Sequence, residues 1–248
     1  MPEATLESYM HLSSQLGFQR GVVVQGSTDP ADWVATKRAL EICEGRLLGM
    51  IVANEQTDIG ELGALHRIGI RGMRIELRHM MQRFDQDWFD RIARAASDLG
   101  WVLALHLEPE SLLHFADLIP KIKANVLLEN YALIDARAGI DQPAFRTLLD
   151  LAGEPHVWLK AASAYRMVWK GATWEQVKPF GKALHARSPD RTIWGTDWPH
   201  PGVRNITMRP DDAFLVDLLL EFAPDPAIRH RLLVDNPRRL FEQAGAAS

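Results

Sequence analysis

An acidic residue stands at the end of an apolar run, within the segment IWGTDWPH at residues 193–200. Asp197 is followed directly by tryptophan and proline, so its charge is placed beside large apolar side chains. A carboxylate in such surroundings suits a general base or a metal ligand, because the pocket sets its proton affinity. A helix cap or a structural ion pair is the alternative interpretation. The position at the end of a buried strand favours the catalytic one.

Other polar side chains follow similar apolar runs, and their types suit anion binding or proton transfer. The guanidinium group of arginine matches carboxylates, and histidine exchanges a proton near neutral pH. His106 is the second candidate catalytic residue. The candidate substrate-binding residues are Arg74, Arg78, Asn130, Tyr131, Tyr165, Arg166, His200 and Arg204. Each of them also has a structural interpretation, as an ion pair, a core imidazole or a packed aromatic ring.

Seven apolar runs predict the strands that must position these residues. The runs are nearly continuous rather than alternating, which is typical of strands buried on both faces of a parallel sheet. They lie at residues 21–25, 47–52, 71–77, 101–107, 125–130, 156–161 and 191–197. Amphipathic helices are predicted at residues 5–16, 87–99, 111–123, 143–152, 174–187 and 211–222. This alternation predicts one α/β domain.

A β/α barrel explains this order better than a doubly wound open sheet. The turn after the first run reads QGSTDPADW and lacks the G-x-G-x-x-G fingerprint of nucleotide folds, and no P-loop is present. The length of 248 residues is close to the roughly 250 residues of a typical (β/α)8 barrel. We expect one barrel domain over residues 1–242 and a flexible tail at 243–248. A barrel of this type has eight strands, so the first strand is expected to be missing.

Composition and charge limit the classes of function. The formal net charge of −4 gives no general attraction for nucleic acid or anionic lipid. No apolar run approaches the roughly 18 residues of a membrane span, and the polar start MPEATLES is unlike a signal peptide. The single cysteine, Cys43, fits a reducing compartment. We therefore expect a cytoplasmic protein whose partner is a small molecule, with no nucleic-acid or membrane partner.

A missing strand would leave two sheet edges exposed, and exposed edges tend to pair with other chains. We therefore expect the gap to be covered by the N-terminal segment, by a rearranged loop or by a partner subunit. The last of these would make the protein a homo-oligomer.

Several segments resemble the amidohydrolase superfamily, of the amidohydrolase-2 type, and within it the 2-pyrone-4,6-dicarboxylate lactonase branch. GTDWPH at 195–200 is similar to the family's last strand, and RGMRI at 71–75 to its fourth. VWLKAASAY at 157–165 is similar to the seventh strand and VDNPRRLF at 234–241 to the closing helix. The resemblance implies a distorted (β/α)8 barrel that hydrolyses small carboxylate-bearing lactones or related esters, such as those of aromatic catabolism. It also implies arginines that hold the carboxylates, and an Asp197 that activates water or binds metal.

The sequence departs from this family at its histidines. The family's first strand ends in His-x-His, and no such pair occurs here; the sixth-strand histidine is replaced by Asn130. Of the family's metal ligands only His106 and Asp197 are present, whereas a catalytic zinc takes three protein ligands. We therefore expect Asp197 to activate water without an obligatory metal, with at most a weakly bound divalent ion such as zinc at these two residues.

Two alternatives to this hydrolase stay open. The missing histidines are also compatible with a degenerate or truncated barrel that binds a carboxylate ligand without catalysis. An unusual ligand set would instead give a metal-dependent hydrolase or decarboxylase of the same superfamily.

Overall fold

The seven predicted apolar runs are all strands. The computed structural model describes residues 4–26, 33–78, 80–201, 203 and 209–242. The strands are Gly21–Val24 (β1), Leu47–Val52 (β2), Ile70–Glu76 (β3), Val102–His106 (β4), Asn125–Glu129 (β5), Val157–Ala162 (β6) and Thr192–Gly195 (β7). They form one parallel sheet in the order β1 to β7. Each strand lies within two residues of its predicted bounds.

Helices connect the strands, as predicted for a β/α fold. They are Leu6–Gln15 (α1), Val34–Cys43 (α2), Leu62–Arg67 (α3), Gln86–Asp98 (α4), Pro109–Phe115 (α5), Pro143–Leu151 (α6), Tyr165–Trp169 (α7), Trp174–Arg187 (α8), Asp212–Phe222 (α9), Pro226–His230 (α10) and Asn236–Glu242 (α11). The helix predicted at 111–123 is wrong beyond Phe115, since a short 3₁₀ turn follows at Ile119–Lys121. Pro120 lacks an amide hydrogen, so it cannot make the backbone hydrogen bond that would continue the helix there. No described helix is long and apolar enough to cross a membrane.

The curled sheet has a different apolar layer on each face. Outward-facing side chains such as Met73 and Leu103 pack against the surrounding helices in the main core. Inward-facing side chains such as Ala104 and Leu127 pack with Leu240 of α11 in a second, smaller core. The helix α11 therefore fills the inside of the barrel below the carboxyl ends of the strands.

The edges of β1 and β7 are not hydrogen-bonded to each other in the part of the chain that the structure describes. The N-terminal segment bridges these two edges. The ring of Tyr9 lies 5.6 Å from that of Trp198, just after β7, and its hydroxyl packs on Gly21 of β1, where a Cβ atom would clash with it. Phe18 stacks on Trp194 of β7 at 5.4 Å. Of the three coverings expected for the gap, these contacts favour the N-terminal segment.

Candidate active site

Polar side chains gather on the inner face of the sheet, at the carboxyl ends of the strands. The register places Glu76 of β3 opposite His106 of β4, and Glu129 of β5 opposite Lys160 of β6. Strand residues two apart share a face. The residues two positions before His106 and Glu129 are Ala104 and Leu127, and both belong to the apolar inner core. The polar side chains therefore rest on an apolar floor and open toward the loops, where active sites of β/α barrels lie.

The first group of contacts surrounds Glu129, which is 1% exposed. Its carboxylate accepts a hydrogen bond from Nε of Arg74 at 2.7 Å and another from Nζ of Lys160. We name these three residues the Glu129 cluster. Burial alone would raise the pKa of Glu129, but the two cations outweigh burial and hold the pKa at about 2. Glu129 is therefore ionised at neutral pH, and Lys160 has the structural partner that a buried lysine requires.

The second group of contacts surrounds Asp197, just after β7. Its Oδ2 accepts hydrogen bonds from Oγ of Ser163 at 2.5 Å, the hydroxyl of Tyr165 at 2.5 Å and Nη2 of Arg166 at 3.0 Å. We name these four residues the Asp197 cluster. Within the described residues, Oδ1 has no hydrogen-bond partner, and the side chain is 13% exposed. One carboxylate oxygen is thus fixed by donors while the other is left to accept a proton.

Tyr165 is held in its protonated form. Burial and, next, the negative charge of Asp197 raise its pKa above the ordinary value of a phenol. Tyr165 therefore serves as a hydrogen-bond donor to Asp197 across the neutral pH range. Its ring also packs edge-to-face against His200 at 5.2 Å.

Backbone strain is concentrated at these strand ends. Ser163, Asp197 and His200 have φ angles of 61°, 60° and 61°, in the left-handed region that non-glycine residues avoid. After β5, the four residues 130–133 form a left-handed turn with φ between 48° and 55°. Each such residue costs roughly 1–2 kcal/mol. Clustered strain of this kind is characteristic of functional sites, where the surrounding structure fixes a required geometry.

Several polar atoms at this end of the barrel are buried and have no hydrogen-bond partner among the described residues. They include Nδ1 and Nε2 of His106, Oδ1 of Asn130, the hydroxyl of Tyr131, Nε of Arg166 and Nδ1 of His200. Buried polar groups in proteins are nearly always paired. These unpartnered donors and acceptors lie close together, so they can form hydrogen bonds with a bound polar ligand.

The structure brings most of the predicted site residues to this end of the barrel. Arg74 and His106 adjoin Glu129, with Nδ1 of His106 at 3.7 Å from its carboxylate, and Arg78 adjoins Glu76. Tyr165 and Arg166 contact Asp197 as described. His200 donates its backbone N–H to the carbonyl of Asp197 at 2.7 Å. Asn130 and Tyr131 lie in the left-handed turn. Arg204 and the tail at 243–248 lie outside the described residues.

The site contains four residues to which the sequence analysis assigned no role. Glu76, Glu129 and Ser163 each end or follow a strand, and Asp212 in the first turn of α9 lies 3.3 Å from Nε2 of His200. The period of two along a strand places Glu76 on the same face as Arg74, so this signal was present in the sequence. The contact of Asp212 with His200 depends on the path of the intervening loop and carries no sequence signal.

The described side chains do not fit a divalent metal centre. Among the described residues, no group of three or more His, Cys, Asp and Glu side chains is placed so that it could hold a metal ion. Asp197 faces the guanidinium of Arg166 at 3.0 Å, and Glu129 is held between Arg74 and Lys160. These cations neutralise the carboxylates and repel a second cation at the same oxygens. Among the described residues, the pair His106 and Asp197 therefore lacks the third protein ligand that a catalytic zinc takes.

A separate groove of about 600 Å³ lies near the amino ends of β1 and β2. It is lined by Met10, Ser14, Phe18, Gln19, Arg20 and Arg46. None of these is an acid, a histidine or a cysteine, so the groove lacks a proton acceptor for catalysis. The carboxyl ends of the strands remain the candidate active site.

Known proteins are similar to this sequence over nearly its whole length. The family model described as Amidohydrolase matches residues 1–243. A 4-sulfomuconolactone hydrolase from Rhizobium radiobacter is 37% identical over 242 residues, which cover 97% of this chain and 81% of that protein. A 2-pyrone-4,6-dicarboxylate hydrolase from Comamonas testosteroni is 31% identical over 240 residues, which cover 93% of this chain and 78% of the relative.

A solved structure shares the fold. It is that of a probable 2-pyrone-4,6-dicarboxylic acid hydrolase from Acinetobacter baumannii with citric acid bound, at a TM-score of 0.83 and 25% identity. The match covers 97% of this chain and 90% of that chain. It confirms the predicted distorted barrel with its seven visible strands. Together with the sequence matches to two hydrolases, it shows that this chain belongs to the amidohydrolase family of hydrolases.

Proposed function

We propose that this chain hydrolyses a small lactone, or a related ester, that carries carboxylate or sulfonate groups. The observation that carries the proposal is the Asp197 cluster, in which three donors fix Oδ2 and leave Oδ1 without a partner among the described residues. A carboxylate fixed in this way is oriented to receive a proton from water. The relatives named for 4-sulfomuconolactone and 2-pyrone-4,6-dicarboxylate support an anionic lactone as the substrate.

The reaction would proceed by direct attack of water on the lactone carbonyl. Oδ1 of Asp197 takes one proton from the water molecule while the water oxygen bonds to the carbonyl carbon. The bond between that carbon and the ring oxygen then breaks, and the ring oxygen takes the proton back from Asp197. The product is the ring-opened acid, and Asp197 is again ionised.

Cationic side chains around the site would bind the anionic groups of the substrate. The ion pairs of the described residues join four cations to three carboxylates, which leaves one positive charge in excess within these pairs; the residues are Arg74, Arg78, Lys160 and Arg166, and Glu76, Glu129 and Asp197. Guanidinium groups bind carboxylates with two parallel hydrogen bonds. His106 would donate to the carbonyl oxygen as negative charge develops on it, a contribution of the kind made by an oxyanion hole.

The remaining predicted residues have binding roles in this proposal. Asn130 and Tyr131, with their unpartnered buried polar atoms, would hydrogen-bond the substrate. His200, whose Nδ1 is also unpartnered, would do the same. We keep Arg204 as a further substrate-binding residue on the basis of the sequence alone.

We also propose that the reaction does not need a divalent metal, because Asp197 and Glu129 are already neutralised by Arg166, Arg74 and Lys160. Protein dialysed against a chelator is therefore expected to keep its full rate, and added zinc or manganese is not expected to raise it. The measurement is the initial rate together with the metal content of the same sample. Loss of activity on dialysis, with recovery when stoichiometric metal is returned, would show that this proposal is wrong.

The proposed function is tested by ring opening of matched lactones. The purified chain is incubated with 2-pyrone-4,6-dicarboxylate, with 4-sulfomuconolactone and with unsubstituted 2-pyrone, and loss of the lactone is followed by chromatography. We expect kcat/KM for at least one anionic lactone to exceed that for 2-pyrone by at least about 100-fold, because the site is built for charged groups. Saturable citrate binding without turnover of any lactone would instead support the non-catalytic binding protein.

A further inference from the structure

Glu76 presents a partly exposed carboxylate inside the proposed anion site. It ends β3, and its side chain is 30% exposed. It accepts two hydrogen bonds from Arg78, from Nε at 2.7 Å and Nη2 at 2.9 Å. Its Oε2 also lies 3.9 Å from Nη2 of Arg74 and 3.7 Å from Nδ1 of His106. Glu76 therefore takes the place that a carboxylate of a bound ligand would take among these three groups.

The fold does not depend on Glu76 as it depends on Glu129. The side chain of Glu129 is 1% exposed and pairs with two cations, Arg74 and Lys160. The side chains of Glu76 and Arg78 are 30% and 29% exposed. Partly exposed ion pairs contribute little to stability, since water solvates each partner nearly as well. Arg78 has no other carboxylate partner among the described residues, so Glu76 decides whether its charge is available to a ligand.

Hydrolysis changes the charge that this site must hold. Opening a lactone ring creates a new carboxylate, so at neutral pH the product carries one more negative charge than the substrate. A fixed negative charge next to Arg78 and His106 repels the product more than the substrate. Glu76 would thus reduce retention of the more highly charged product.

We propose that Glu76 is a specificity-determining residue that competes with ligand anions for Arg78, Arg74 and His106 and thereby favours the lactone over its ring-opened product. This inference rests on the proposed function for the identity of substrate and product. Its electrostatic part, the competition with anions, holds for any polyanion that enters the site.

The test compares Glu76→Gln with the wild-type chain and with Asp135→Asn. Asp135 forms a similar pair with Arg137 two residues later, with Nε at 3.0 Å, and serves as the matched control. Citrate is the first probe, because citric acid is bound in the solved structure of the relative from Acinetobacter baumannii. Isothermal titration calorimetry at low salt measures the Kd of citrate. Trimethyl citrate, which carries no charge, is the control ligand.

We expect Glu76→Gln to bind citrate roughly threefold to tenfold more tightly. Trimethyl citrate binding and the Asp135→Asn variant should be unchanged, and the gain should shrink as salt screens the charges. In turnover assays, the inhibition constant of the ring-opened product should fall more than the KM of the lactone. Unchanged or weaker citrate binding would overturn the inference, because Glu76 would then only orient Arg78.

A Glu76→Gln chain that fails to fold would also contradict the inference, which requires the Glu76–Arg78 pair to be dispensable for the fold. The citrate measurement separates this inference from the proposed function. Tighter citrate binding without lactone hydrolysis supports anion competition and rejects the hydrolase. Lactone hydrolysis with unchanged citrate binding supports the hydrolase and rejects the role of Glu76.

Discussion

Replacing Asp197 with asparagine is expected to lower kcat for lactone hydrolysis by about 10²–10⁴-fold, the usual contribution of a general base. The amide keeps the shape of the carboxylate, and its oxygen can still accept hydrogen bonds from Ser163, Tyr165 and Arg166, which now hold Oδ2. The amide cannot take a proton from water, so the attacking oxygen is no longer activated. Steady-state kinetics with an anionic lactone measure kcat and KM separately, and KM should change little.

Tyr165→Phe is the matched comparison for this prediction. It removes one of the three donors to Oδ2 and leaves the base in place, so a smaller fall in kcat is expected. Urea denaturation of both variants shows whether each is folded under the assay conditions, which separates loss of chemistry from loss of fold. If Asp197→Asn keeps the wild-type kcat within experimental error, Asp197 is a structural residue and the proposed mechanism is wrong.

Replacing Glu129 with glutamine is expected to reduce the free energy of unfolding by about 3–5 kcal/mol, the scale for removing one partner of a buried ion pair. The substitution leaves Arg74 and Lys160, which are 23% and 17% exposed, without the carboxylate between them. Urea denaturation at pH 7 measures the change. A second substitution, Lys160→Met, should recover part of the loss in the Glu129→Gln background, because it removes one of the unpaired charges.

The contribution of Glu129 to the free energy of unfolding is expected to fall as the pH is lowered. The pKa of Glu129 is about 2 in the folded chain, against an ordinary value of 4.5. A carboxyl group with a depressed folded-state pKa stabilises the fold above its unfolded value and loses that contribution as pH falls toward its folded value. The difference in unfolding free energy between wild type and Glu129→Gln should therefore narrow between pH 4.5 and pH 2. A difference below 1 kcal/mol at pH 7 would contradict the role assigned to Glu129.

The strands were predictable because burial on both faces leaves a direct mark on the sequence. A run such as residues 101–107 is apolar throughout, and it forms β4 at Val102–His106. The helix predicted at 111–123 was wrong beyond Phe115 because its apolar pattern continues past Pro120, which cannot donate the backbone hydrogen bond that a continuous helix would make at that position. The missing amide hydrogen of Pro120 therefore outweighed the helical period of the apolar residues around it.

The location of the candidate site at the strand ends was predictable from the sequence, but the ion pairs between its side chains were not. Asp197 and Arg166 were expected at one end of the barrel because parallel strands share their direction. That Arg74 pairs with Glu129 depends on the register and curl of the sheet, which the sequence does not encode locally. The left-handed turn at 130–133 was also unpredictable, since its residues are not glycines and adopt that conformation only when tertiary contacts impose it.

A single-turnover reaction in water labelled with ¹⁸O tests the role of Asp197 as the base that activates water. Wild-type chain in excess over a dicarboxylate lactone is mixed in labelled water, and the product is analysed by mass spectrometry beside the Asp197→Asn variant. We expect the wild type to place one ¹⁸O atom in the newly formed carboxylate and none in the oxygen that came from the ring. The variant should give little product in the same time. Equal labelled product from both proteins, or an isomer without ¹⁸O, would contradict water activation by Asp197.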